Sequence, residues 1–196
     1  MEARPSLLSR VVRAVLLALY RTRALSVSGQ VPATRRCVII GAPHTSNWDF
    51  LCFLGITETL GVRASFMGKA SLFRWPMGRF MREMGGVPVD RSSSHNYVDA
   101  MVAEFARRDE FMLVIAPEGT RGGAHRWKTG FYHIALKAGV PIVCGFVDYE
   151  RRRGGFGPAI MPSGDYASDM AKMAAFYATV QPWMPEKMLA DLQVQA

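Results

Sequence analysis

The sequence predicts an α/β domain with a central, mostly parallel or mixed sheet flanked by helices. Three observations predict it. Strand-like and helix-like stretches alternate between residues 37 and 148, the pattern of helices laid on both faces of a sheet. The run Phe111 to Ala116 is apolar without interruption, as a strand buried on both faces requires. Residues able to do chemistry collect directly after strand-like runs, where the loops of such a sheet carry function.

The chain has 196 residues, 49% of them hydrophobic and 20% charged, which suits one domain with a sizeable core and shows no repeat or low-complexity tract. Arg10 and Arg13 interrupt the apolar residues of segment 5–20, and Ala14 to Tyr20 is too short to cross a bilayer. That segment is expected to be a basic, apolar helix that lies at a lipid interface or packs on the domain; no convincing cleavage site follows it. Residues 30–36 read as a linker. Residues 1–36 are therefore set apart as an N-terminal amphipathic segment open to either role, membrane association or packing, and 37–196 as the main domain.

The elements then follow in order. Cys37 to Gly41 predicts a strand and Asn47 to Leu60 a helix. Ala64 to Gly68 predicts a short strand, and Ser71 to Met84 a mostly helical stretch despite Pro76. Val87 to Asp90 is a strand, and Ser92-Ser93-Ser94 can cap a helix from about His95 to Arg108. In that helix Val98, Met101, Val102 and Phe105 recur at helical spacing. Phe111 to Ala116 is the buried strand, Lys128 to Lys137 a helix ended by Ala138-Gly139, and Pro141 to Asp148 a strand. Ala167 to Val180 reads as a helix in a tail to which no chemistry is assigned.

The first loop is the most informative. Pro43 cannot continue a helix and biases Ala42 towards an extended conformation, so His44 should sit on a turn. Ser46 or Asn47 can cap the following helix, which puts Asp49 in its first turn, five residues after His44. A carboxylate there can hold the imidazole in one tautomer and stabilise its protonated form, as a general base requires. Ser46 and Asp49 also resemble a capping box, in which Asp49 is favoured by the helix dipole alone. Three further strand-like runs end in polar residues. Lys69 follows Phe66-Met67-Gly68, Asp90-Arg91 follows Val87-Pro88-Val89, and Pro117-Glu118-Gly119-Thr120-Arg121 closes the apolar strand. Glu118 can bind hydroxyls, Gly119 allows a tight turn, and Arg121 offers a planar fork of donors for a phosphate.

The net charge of +8 favours an anionic partner, and no basic-aromatic nucleic-acid motif is present. Cys37, Cys52 and Cys144 lie far apart in apolar runs and read as buried free thiols, with neither disulfide nor metal spacing. His95, His125 and His133 read as ordinary surface or helix histidines. Met67, Met77, Met81 and Met84 read as core filler that would also suit an acyl-chain tunnel. Trp75 and Trp127 suit either a membrane interface or simple packing.

Together these blocks resemble the glycerolipid acyltransferases, whose best-known member acylates 1-acylglycerol-3-phosphate to phosphatidic acid. The family's His, four residues and Asp look like His44 to Asp49. Its second block, Gly-x-x-Phe/Pro-Ile-x-Arg, looks like Gly85 to Arg91. Its Pro-Glu-Gly-Thr-Arg is intact as Pro117 to Arg121, and its Val-Pro-Ile block is matched by Val140 to Val143. Lys69, Leu72, Phe73, Pro76 and Gly78 are similar to a Lys-rich segment before the second block, and Lys128-Thr129-Gly130 to a Lys-x-Gly segment after the third. Pro43, Ala116 and Cys144 depart from the usual residues.

The resemblance implies a glycerolipid acyltransferase-like fold and an O-acyltransferase moving a fatty acyl group from a thioester to a lysophospholipid hydroxyl. It implies His44 and Asp49 as the catalytic dyad, and substrate binding by Lys69, Arg91, Glu118, Gly119, Thr120, Arg121 and Lys128. It also implies no metal or resident cofactor, with acyl-CoA or an acyl-carrier-protein thioester as co-substrate. The expected partners are a lysophospholipid acceptor, the acyl donor and the cytoplasmic membrane surface, where the chain would be peripheral, with no nucleic acid. Other readings are an acyltransferase acting on an amine- or sugar-bearing lipid, a thioesterase-like hydrolase, and a basic membrane-binding protein without catalysis.

Overall fold

A computed structural model describes residues 5–22, 25–29, 31–42, 47–89, 94–118, 127–181 and 186, with the backbone alone at 47 and 94–96. Its strands are β1 (Ser26–Ser28), β2 (Arg36–Ala42), β3 (Ala64–Lys69), β4 (Gly86–Val89), β5 (Phe111–Ile115), β6 (Ile142–Asp148) and β7 (Arg153–Ile160). Its helices are α1 (Leu7–Arg21), α2 (Asn47–Thr59), α3 (Gly78–Glu83), α4 (Ser94–Arg107), α5 (Gly130–Ala138) and α6 (Tyr166–Val180).

The strands form one sheet in the order β1-β7-β6-β2-β5-β3-β4. β6, β2, β5, β3 and β4 pair in parallel, whereas β7 pairs antiparallel with β6 and parallel with β1. The sheet is therefore mixed, with a parallel block of five strands whose carboxyl ends share one edge.

Alternation along the central strand sorts the layers. Val38, Ile40 and Ala42 of β2 join a core with Met101 and Phe105 of α4, Phe131 and Ile134 of α5, and Met170 and Met173 of α6. Cys37 and Ile39 face the other way, beside Val62, Met112 and Val143. On that second side Tyr20 of α1 packs with Leu51, Cys52 and Ile56 of α2 and with Val147. Helices thus cover both faces. α2 lies between the sheet and α1, so it is apolar around most of its circumference instead of along one stripe. Close approach of α1 requires Gly55, where a Cβ would lie 2.2 Å from the Tyr20 ring.

The predicted helix over Ser71 to Met84 divides at Pro76, which lacks an amide donor and clashes with a preceding helical turn. A 3₁₀ turn at Ala70–Phe73 precedes the break and α3 follows it. α5 ends as expected at Gly139, which adopts φ 63°, a left-handed conformation that glycine adopts without a Cβ penalty. Residues 1–36 contribute both α1, on the α2 face, and β1, at a sheet edge. Cys37, Cys52 and Cys144 are free and buried, and burial pushes the Cys37 and Cys144 thiols up to about 12.

Candidate active site at the carboxyl edge of the parallel strands

The parallel block brings the carboxyl ends of β2, β3, β4, β5 and β6 to one side. There a cavity of about 1500 Å³ opens between the sheet, α2, and the 3₁₀ turn with α3. Drug-sized pockets run to about 1000 Å³, so this space suits a longer ligand. Its walls are mainly apolar, including Phe50, Phe53, Phe66, Met81 and Met84. Among the described residues its charged lining consists of Asp49, Lys69 and Lys128.

Asp49 sits in the first turn of α2, where the helix dipole favours a negative charge, and is 8% exposed. The Tyr149 hydroxyl, just beyond the end of β6, donates to Asp49 Oδ1 at 2.5 Å. Cys52 Sγ lies 3.8 Å from the same hydroxyl. Burial raises the Tyr149 pKa, and the hydrogen bond to Asp49 with the nearby Cys52 and Asp49 charges raises it further.

Lys69 closes β3 and Lys128 follows the buried Trp127; both side chains are exposed, and both line the cavity. The Lys128 amide donates to the Pro117 carbonyl at 2.8 Å, which ties the start of the α5 segment to the end of β5. Glu118 is 5% exposed and is not among the cavity-lining residues. Its charge is one contributor, after burial and Cys144, to the raised pKa of Tyr177. His44, Arg91, Gly119, Thr120 and Arg121 lie outside the described residues. Ala42 and Val89, which end β2 and β4, and Pro117, two residues past β5, all line the cavity.

The remaining sequence candidates separate clearly. Trp127 is buried and makes edge-to-face contacts with Phe131 and Tyr177, whereas Trp75 is 94% exposed. Met67, Met81 and Met84 line the cavity, and Met77 is exposed. His133 lies on α5 as expected, and His125 lies outside the described residues.

Tyr149 went unnoticed in the sequence. The signal was present, because Tyr149 is the first residue after a predicted strand, as Lys69 is in its loop.

The acyltransferase family profile matches residues 24–146, spanning every one of the parallel strands but the last two residues of β6. The chain belongs to the acyltransferase family. Relatives of this acyltransferase-family chain include 1-acyl-sn-glycerol-3-phosphate acyltransferases from three bacteria. The Salmonella typhimurium protein is 33% identical over 109 residues, covering 52% of this chain and 43% of that protein. The Haemophilus influenzae protein is 31% identical over 136 residues, covering 64% and 55%. The Escherichia coli protein is 32% identical over 109 residues, covering 52% and 43%. The chain thus spans about half the length of the curated relatives it matches. The fold is shared with the crystal structure of the 1-acyl-sn-glycerophosphate (LPA) acyltransferase PlsC from Thermotoga maritima. That match has a TM-score of 0.59 at 16% identity and covers 89% of this chain and 81% of the other.

Proposed function

We propose that this chain transfers a fatty acyl group from a thioester donor to the hydroxyl of a lysophospholipid such as 1-acylglycerol-3-phosphate. One observation carries the reading. A buried, hydrogen-bonded carboxylate, Asp49, lines a large apolar cavity whose other charged walls among the described residues are two lysines. An apolar space with cations and one carboxylate at the strand ends suits an amphiphile with an anionic head group and a reacting hydroxyl. The names of the bacterial relatives support the same acceptor class.

In this mechanism His44 accepts the proton of the acceptor hydroxyl as its oxygen attacks the thioester carbonyl. Asp49 orients the imidazole and stabilises its positive charge. The new ester C–O bond forms, the C–S bond breaks, and the proton held by His44 passes to the departing thiolate. The acceptor is itself the nucleophile, so no protein acyl intermediate is required. Arg91, Arg121, Lys69 and Lys128 bind the phosphates of the two substrates, and Glu118, Gly119 and Thr120 hold the glycerol end of the acceptor.

The reaction would take place with the chain peripheral on the cytoplasmic face of a membrane. Support comes from α1, which turns Leu7, Leu8, Val11, Val15 and Leu19 outward, and from the exposed Leu72, Trp75 and Met77 at the cavity's α3 side. No helix among the described residues is long and apolar enough to cross a membrane.

The test is a labelled-thioester assay with acyl-CoA and with acyl-carrier protein. Acceptors are 1-acylglycerol-3-phosphate, other lysophospholipids, and amine- and sugar-bearing lipids. Acylation of the phosphate-bearing lysolipid is expected, with His44→Ala lowering kcat by about 10²- to 10⁴-fold. Asp49→Asn should cost less and leave the fold intact. Turnover by His44→Ala within a few-fold of the unaltered chain removes the assignment, and free fatty acid as the main product replaces transfer with hydrolysis.

A further inference from the structure

Asp49 is held by a residue far away in the chain. Its Oδ1 accepts from Tyr149, 100 residues away in the chain. The turn that presents Tyr149 is itself braced. Asp148, 4% exposed, accepts from the Arg151 backbone amide at 3.0 Å, from Arg151 Nη1 at 3.2 Å and from Arg153 Nε at 3.2 Å. Those bonds join the last residue of β6 to the first of β7 and brace the turn 149–152 between them, in which Tyr149 comes first. Cys52 Sγ, one turn along α2 from Asp49, lies 3.8 Å from the same phenolic oxygen, so the hydroxyl sits against α2 at two points.

This geometry answers a problem that a catalytic carboxylate poses. The terminal torsion of an aspartate is broad and roughly two-fold, so the carboxylate plane is poorly fixed by rotamer preference alone. A carboxylate has acceptor sites on both oxygens and can serve two donors at once. A donor on one oxygen sets the plane in which the other is presented. The raised Tyr149 pKa keeps the phenol protonated over the range where imidazoles titrate, which makes it a permanent donor and unsuitable as a base.

We propose that Tyr149 is a positioning residue for the reaction: its hydroxyl fixes the carboxylate plane of Asp49 and so orients the imidazole of His44. The inference rests on the acyl-transfer reading above and adds a residue outside the motif blocks that support it. Tyr149 touches neither reacting atom in this role; it acts through Asp49.

Steady-state kinetics of Tyr149→Phe, Asp49→Asn and the double variant test it. Outer hydrogen-bond partners of metal-binding side chains are worth about 10- to 100-fold, and the low end of that range is taken for the partner of a catalytic carboxylate. Tyr149→Phe should therefore lower kcat about tenfold and keep the KM of both substrates within about twofold. In the Asp49→Asn background the same substitution should change kcat by less than about twofold, because coupled residues are non-additive. Tyr149→Met also lacks the hydroxyl and should lose kcat by the same factor. An unchanged kcat for Tyr149→Phe overturns the proposal. So does an equal loss in both backgrounds, which a merely structural role would give, or a rise in acceptor KM at constant kcat. If the unaltered chain acylates no lysolipid, the acyl-transfer reading falls and this role with it. An active chain indifferent to Tyr149→Phe removes this role alone.

Discussion

Asp169 in α6 is fully buried and nonetheless ionised. Burial alone would push its carboxyl up, but the Ser163 amide, Lys172, and the hydroxyls of Ser163 and Tyr132 hold it at about 2. The bonds from Ser163 and Tyr132 span 2.7 to 3.0 Å and join α6 to α5 and to the loop after β7. Because the folded pKa is depressed, this contribution is complete above the unfolded value near 3.9 and is lost as pH falls towards 2. Asp169→Asn should lower Tm by roughly 5 °C at neutral pH, corresponding to about 2 kcal/mol of lost hydrogen bonding. Its Tm should also fall less steeply than that of the unaltered chain between about pH 4 and pH 2, as thermal melts across that range would show. Equal slopes would place the acid sensitivity elsewhere. The place of Asp49 in the first turn of α2 was legible because capping residues precede it in the sequence. The Asp169–Tyr132 and Asp49–Tyr149 pairs were not, because their members lie 37 and 100 residues apart and only the fold brings them together. Trp75 and Trp127 show the same limit: identical side chains in similar sequence surroundings end at opposite extremes of exposure.

At the scale of elements, α1 behaves unlike an ordinary surface helix. Ser9 and Tyr20 are its buried residues, and Ser6 and Ser9 donate to Glu83 at 2.6 and 2.5 Å while Leu7, Leu8, Val11, Val15 and Leu19 face outward. The helix is moored by these polar groups at its start and by Tyr20 and Leu16 against α2, and it presents an outer apolar stripe to solvent. Leu8→Glu with Val15→Glu should leave Tm nearly unchanged, because both side chains are exposed, and should weaken co-sedimentation with anionic vesicles by about tenfold. Undiminished sedimentation would exclude α1 as the contact. Most elements were legible because they are periodic: Val98, Met101 and Phe105 of α4 are buried as their spacing predicts. β7 was missed because Gly154, Gly155 and Gly157 are poor strand formers. Packing bears on all three, since a Cβ at Gly157 would lie 2.2 Å from the Phe176 ring. A Cβ at Gly154 would lie 2.6 Å from Ile56 Cδ1, and one at Gly155 would lie 1.7 Å from the Ser28 carbonyl oxygen. β1, with three residues, is too short for any alternation to register.

For the whole molecule, the charge of +8 and the outward stripe of α1 act at different ranges. Attraction to anionic lipid is screened over about 10 Å at 0.1 M salt, whereas apolar insertion is not. Binding to anionic vesicles should therefore weaken severalfold as salt rises from about 0.05 to about 0.5 M, and binding to neutral vesicles should change little. A flat salt response on anionic vesicles would make the charge irrelevant to association. The α/β class and the parallel block were legible, since both follow from strand and helix alternating along the chain. The reversal of β7 was not, because a hairpin and a crossover leave similar traces when the returning strand is glycine-rich. The ends of the sheet have a further consequence. One border is β1, only three residues long; the other is β4, where the exposed Pro88 has no amide to offer. As far as the described residues go, neither border strand presents a long row of unpaired donors on which a second copy's strand could grow, which disfavours edge-to-edge pairing at β1 and at β4.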